Sequence, residues 1–412
     1  MPKTRNIKGN ATLSVAAIVA TIAAAEIALH LSGISYPYFT RIDPVTGFSL
    51  RPNAAGRQRD EGEAYVQINS EGFRDIERQK EKPKSVLRIA ALGDSYVEAR
   101  QVDLAETFPA ILETNLTVTC PSRTTSYEVL NFGVSGFSTI QELLLLREKA
   151  WGYSPDIVLL AFTTGNDVSG NSRELSRGAH QPYMKEENGG LVPDFSFRES
   201  PLFTSQSTVL AKMAHAIIAR SRVAQVLNRI RTRSFADRNR NAADSRTLPQ
   251  YQGMRSSARL RRAQLGGEPG LDDAIYREPL DPAWLDAWRI TEQTLEMMHT
   301  EAEQHSATFA VAIVPNGIQV HPDPAVWKAF AEHLGVRDLL EPVRRVEAIG
   351  NRHGFPVVSL VEPLRKYAEE TQTFLHGFEN TEPGSGHWNG EGHRAAARFL
   401  SDFLCHNIIP LR

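Results

Sequence analysis

Ser95 stands in the stretch LGDSYV, directly after the apolar run Val86–Ala91. A strand that ends in Gly-Asp-Ser sets the serine at the carboxyl edge of a sheet, where open α/β folds bind their ligands. Glycine permits the tight exit from such a strand. A serine hydroxyl becomes a nucleophile only when a base can take its proton and hydrogen-bond donors can hold the oxyanion of a tetrahedral intermediate. Those partners should stand at the ends of neighbouring strands. In NFGVSGFST, Gly136 offers a backbone N–H that no Cβ shields, and in AFTTGND the Asn166 side-chain amide offers a further donor. The backbone N–H of Ser95 itself is the third. Near the C-terminus, GHWNGEGH carries His387, a candidate base.

The flanking residues have supporting readings. Asp94 and Asp167 are expected to hydrogen-bond the turns that carry Ser95 and Asn166, and Asn389 to shape the start of the last helix. Trp388 reads equally as a cleft wall or a core residue. His393 reads as a packing or capping residue rather than a ligand. No HExxH or similar ligand pair occurs in the sequence, so no metal is expected and the chemistry needs no organic cofactor.

The elements that must position these residues follow from the apolar pattern. SVLRIAALGDS, YEVLNFG, PDIVLLAFT, ATFAVAIVP and FPVVSL read as strands. TFPAILETNL, STIQELLLLREKAWG, AWLDAWRITEQTLEMMHTEAEQH and GHRAAARFLSDFL read as helices, the second opened by a capping box of Ser138 and Gln141. Strands alternating with helices at this spacing imply an α/β fold with a parallel sheet and helices on both faces. The alternation stops between about 170 and 280, where an insertion is the simplest account. Within it, apolar Met213, Ile217, Ala224 and Leu227 recur at helical spacing beside Arg220, Arg222, Arg229, Arg231 and Arg233. That pattern fits a helix with a solvated arginine face, or one lying on an anionic membrane or acidic polymer.

Ser95, Gly136, Asn166 and His387 fall in the order of the four marker residues of the SGNH (GDSL-type) hydrolase superfamily, which residues 86–170 and 283–405 resemble. The resemblance implies a flavodoxin-like three-layer α/β/α fold and the hydrolysis or transfer of acyl groups. The neck ending in NSEGFRD and the ending HWNGEGH look like bacterial exported members, several of which modify acyl groups on envelope polysaccharides. The expected reading is therefore a serine esterase acting on acyl esters, O-acetyl groups first among them, of an acylated carbohydrate. An O-acyltransferase or a catalytically inactive acyl-glycan binder are the alternatives. In one respect the chain departs from the family, which carries an aspartate two or three residues before the histidine; here Ser385 and Gly384 occupy those positions. Glu382, nearest in sequence, is the expected substitute to orient His387, with a backbone carbonyl as the other option. The G-x-S-x-G elbow of the other serine-esterase fold is absent.

The 412 residues, 41% hydrophobic and with a formal net charge of -2, allow one large domain with additions and give no reason to expect nucleic acid as a partner. Lys3, Arg5 and Lys8 precede an uncharged segment from Ala11 to Ala25 that continues past Glu26 to Leu31. This fits a signal-anchor over residues 1–34 that spans a membrane with its basic flank in the cytoplasm and the catalytic part on the extracytoplasmic side, periplasmic or extracellular. Ala23 and Ala25 would also suit cleavage. Residues 35–85 read as a neck, with a short strand or hairpin at AYVQI, and 86–412 as the hydrolase domain. Cys120 and Cys405 can form one bridge in an oxidising compartment.

Overall fold

The computed structural model describes residues 7–120, 126–176, 180–231 and 272–409; Lys3, Arg5 and Arg233 lie outside them. An apolar helix α1 (Ile7–Leu31) comes first. Two antiparallel hairpins follow, β1 (Thr40–Asp43) with β2 (Gly47–Leu50), and β3 (Ala55–Gln58) with β4 (Ala64–Gln67). The sheet that organises the molecule takes β5 (Val86–Gly93), β6 (Ser126–Gly133) and β7 (Ile157–Thr163). After a hairpin of β8 (Tyr183–Glu187) and β9 (Gly190–Asp194), it is completed by β10 (Thr308–Val314) and β11 (Val357–Ser359). Its order is β11-β10-β7-β5-β6 and every pairing is parallel. Counting only its own strands, this is the flavodoxin-like order, with the switch point between β5 and β7. Ser95 follows one of those strands and Asn166 the other.

Both faces of the sheet are covered, as the near-continuous apolar strands require. Alternate residues of β5 enter different cores: Ala90 and Leu92 pack on one side, Ile89 and Ala91 on the other. The first side is closed by α4 (Thr139–Glu148) and by the helices Pro282–Gln304 and Glu341–His353. The second is closed by α3 (Phe108–Thr119) and by the helices Val361–Thr371 and Gly390–Phe403. The capping reading at α4 holds in one half, where the Ser138 N–H donates to Gln141 Oε1 at 3.2 Å. Cys120 and Cys405 are disulfide-bonded, joining the end of α3 to the turn after the last helix.

Two regions depart from the sequence expectation. Residues 35–85 are more than a connecting neck, because Phe39, Leu50, Val66, Ile68 and Phe73 enter the first core. In NSEGFRD, Asn69 Oδ1 accepts the Phe73 N–H at 2.9 Å. The buried Arg74 guanidinium donates to the carbonyls of Glu98, Ala99 and Val102, the chain leaving the Ser95 turn. The insertion, in turn, follows the single turn α5 (Asp167–Gly170) and opens with the β8–β9 hairpin before its helices α6 (Pro201–Ser207), α7 (Val209–Arg220) and α8 (222–231).

Candidate active site

Ser95 begins a single helical turn, α2 (Ser95–Glu98), whose N-cap is Asp94. Asp94 Oδ1 accepts the Tyr96 N–H at 2.9 Å, so this aspartate shapes the serine turn. Gly93 leaves the strand at φ +156°, and a Cβ there would stand 2.4 Å from a Val97 methyl, which is why the exit requires glycine. Glu98, fully buried, accepts the Ser135 N–H at 2.6 Å and ties this turn to the loop of Gly136. Gly136 takes φ +85°, the left-handed region. Among the described residues the N–H groups of Ser95 and Gly136 make no hydrogen bond.

Asn166 reaches both neighbours. Its Nδ2 donates to Asp94 Oδ2 at 2.8 Å and to the Phe137 carbonyl at 3.4 Å. The side chain therefore stands beside both the serine and the glycine turns, but its amide hydrogens face Asp94 and Phe137. To act on an oxyanion it must release one of them, a tightening that resting sites commonly undergo on binding. Asp167 Oδ2 accepts the Thr163 N–H at 2.7 Å and secures the end of β7. Burial pushes the carboxyls of Asp94, Glu142 and Asp167 up, the last two well above the usual range, where repulsion by Asp94 on Glu142, and by Glu142 and Asp94 on Asp167, adds to the effect.

His387 stands opposite Ser95, its Nε2 2.7 Å from the serine Oγ. On its other side Nδ1 lies 2.5 Å from Glu61 Oε2, and the His387 backbone N–H donates to Glu61 Oε1 at 2.6 Å. Glu382 is not the partner. It is exposed, and its backbone carbonyl accepts the Ser385 N–H at 3.3 Å and the Ser385 hydroxyl at 3.4 Å. Glu61 comes instead from the turn between β3 and β4, 326 residues away. Burial alone would raise its carboxyl, but the hydrogen bonds and charge of His387 outweigh that and hold it below the usual value.

The approach of Glu61 depends on glycine and on a clasp. Gly386 takes φ +77°, and a Cβ there would lie 2.2 Å from Glu61 Oε1. Asn380 Oδ1 accepts the Gly62 N–H at 2.9 Å, and its Nδ2 donates to the carbonyls of Arg59 and Gly62 at 3.1 and 3.2 Å. Tyr96 Oη donates to the Gly386 carbonyl at 3.1 Å, joining the serine turn to the histidine loop.

The remaining residues have structural places. Asn389 Oδ1 caps the last helix by accepting the N–H groups of Glu391 and Gly392. Trp388 is fully buried against Tyr96, Phe108 and His393, a core residue rather than a cleft wall. His393 is buried, stacks on Phe108 and accepts its N–H at 3.3 Å; burial pushes its pKa down to about 3. Among the described residues no cluster of His, Cys, Asp or Glu is arranged to hold a metal.

A serine hydroxyl, an imidazole and a carboxylate in hydrogen-bonded series, beside two unengaged backbone N–H groups, can deprotonate an alcohol and receive an oxyanion. No family model and no curated protein matches the chain. Several solved structures are similar to it at low identity. One is an acetyl xylan esterase, 10% identical with a TM-score of 0.36 over 78% of this chain and 100% of that one. Another is a lipase/acylhydrolase from Enterococcus faecalis, 11% identical with a TM-score of 0.36 over 77% of this chain and 95% of that one. A third is a GDSL-like lipase from Bacteroides thetaiotaomicron, 12% identical with a TM-score of 0.33 over 78% and 89%. Likenesses this distant carry neither substrate nor mechanism to this chain.

Proposed function

We propose that this chain is a membrane-anchored serine ester hydrolase of the SGNH type that removes acyl groups, O-acetyl groups first among them, from a carbohydrate of the cell envelope or its surroundings. The observation that carries the reading is the hydrogen-bonded series Ser95 Oγ, His387 Nε2 and Nδ1, Glu61 Oε2, at 2.7 and 2.5 Å. His387 takes the Ser95 proton as Oγ attacks the ester carbonyl. The backbone N–H groups of Ser95 and Gly136 hold the oxyanion, joined by Asn166 once its amide turns from Asp94. Collapse expels the alcohol, which receives the proton from His387, and leaves an acyl-serine. Water, deprotonated by His387, then releases the acid and restores the hydroxyl. Glu61 holds the imidazole with Nε2 free to accept and favours its charged form.

The sequence support for an inactive binder is the missing acid before His387, and Glu61 beside Nδ1 supports the hydrolase over that alternative. The anchor reading rests on α1, of which Thr12–Leu31 is 20 residues long with a mean hydropathy of 2.0 and no buried residue. The test is release of acetate from an acetylated polysaccharide and of alcohol from a short-chain aryl ester. Ser95→Ala is expected to remove both activities while keeping the circular dichroism spectrum; retained turnover in that variant would end the serine assignment.

A further inference from the structure

α7 is a 12-residue helix with no buried residue. Val209, Leu210, Met213 and Ile217 are 73, 79, 57 and 60% exposed, and the last three recur at i, i+3 and i+7, one face of the helix. In α8, Leu227 and Ile230 are 62 and 58% exposed at the same kind of spacing. Helices this short are marginal in water unless an apolar face is covered, and a contiguous exposed patch of this kind marks an interaction surface.

The position of these helices against α1 bears on what covers them. Glu26 is the one acidic residue between Thr12 and Leu31. Its carboxylate accepts Ser221 Oγ at 2.9 Å and the N–H groups of Arg222 and Val223 at 2.6 and 3.1 Å, the free donors at the start of α8. The one carboxylate of an apolar helix thus takes three hydrogen bonds from the insertion, with His30 Nδ1 at 3.6 Å, partners of the kind a charge beside hydrocarbon requires. Between α1 and α7 runs a groove of about 590 Å³ walled by Val19, Ile22, Ala23, Ala216 and Ile217, with Glu26, Arg220 and Ser221 as its polar lining. The groove continues the exposed apolar surface of α1 itself, where Val15, Ile18 and Val19 are about 60% exposed. Exposed Lys212, Arg220 and Arg231 border the apolar residues with the charge that anionic headgroups attract.

We propose that α7 and α8 lie in the membrane interface beside α1, their apolar face covered by lipid acyl chains, so that the insertion is a second membrane contact of the enzyme. This rests on the reading of α1 as a membrane-spanning helix, and the experiment separates the two. The full chain, its two native cysteines paired, is reconstituted into phosphatidylcholine–phosphatidylglycerol vesicles. A bimane label is placed in turn at Met213→Cys in α7, Ile22→Cys in α1 and Lys366→Cys on the exposed face of Val361–Thr371. Emission is read with and without lipids carrying a nitroxide on the acyl chain. The labels at 213 and 22 are expected to lose most of their emission and the label at 366 to keep it. Quenching at 22 with none at 213 would overturn the interfacial helices and leave the anchor standing. Absence of quenching at both would overturn both. Excimer emission from a pyrene at 213, in place of quenching, would show a second copy as the occupant and equally overturn the proposal.

Discussion

In the proposed mechanism Glu61 decides whether Ser95 and His387 make a working pair. An imidazole without its acid is free to present the wrong tautomer, and loss of the acid from an intact triad costs up to about 10⁴ in rate. Glu61→Gln is therefore expected to lower kcat for an aryl ester by about 10²–10⁴ with a small change in KM, whereas Glu382→Gln leaves both unchanged. Steady-state kinetics of the two variants checks this, and the reverse order of effects would return the role to Glu382. Ser95, Gly136, Asn166 and His387 were legible in the sequence because each follows a strand or precedes a helix recognisable from its own apolar pattern. Glu61 was not. It lies in RDEGEAY, a charged turn with nothing local to mark it, and only tertiary pairing brings it to a histidine 326 residues on. The signal that exists is negative: Gly384 and Ser385 stand where an acid is expected, which leaves the place beside His387 to a backbone carbonyl or to an acid from elsewhere in the chain.

At the scale of elements, the β3–β4 hairpin carries Glu61 to His387 and so belongs to the proposed site. Asn380 clasps its turn through one accepted and two donated hydrogen bonds, and this clasp sets the height of Glu61 against His387. Asn380→Ala is expected to lower kcat by about tenfold while costing about 1–3 kcal/mol of stability, the scale of lost, partly buried hydrogen bonds. Kinetics paired with thermal unfolding checks this; an unchanged kcat would mean that the Glu61 turn holds itself. The sheet strands and covering helices were readable because long apolar runs and 3.6-residue periodicity persist in them. The β1–β2 and β8–β9 hairpins were harder to read. Their strands are only four and five residues long, and polar residues interrupt them, so pattern alone does not separate them from loop. Packing of Phe39, Leu50 and Phe73 into the first core is a long-range fact that composition, rich in Pro and Gly, conceals.

At the scale of the molecule, the proposed placement outside the reducing cytoplasm rests on two features, the Cys120–Cys405 bond and the apolar helix α1. The Cys120–Cys405 bond closes a sequence separation of 285 residues and pins the turn after the last helix, Gly390–Phe403, to the end of α3. Reduction is expected to lower the thermal midpoint, with removal of the bridge worth about 2–5 kcal/mol, and differential scanning calorimetry with and without reductant reads it. An unchanged midpoint would mean that the bridge is absent in the folded protein or adds nothing to its stability.

The most direct test of the central claim is covalent labelling of the purified full chain in detergent by a fluorophosphonate, followed by intact mass. The wild type is expected to gain one phosphonyl group, mapped by peptide analysis to Ser95. Ser95→Ala and His387→Ala should gain none over the same period, and Glu61→Gln should react far more slowly than the wild type. Labelling of Glu61→Gln at the wild-type rate, or of any serine other than Ser95, would contradict the account of an activated serine held ready by His387 and Glu61.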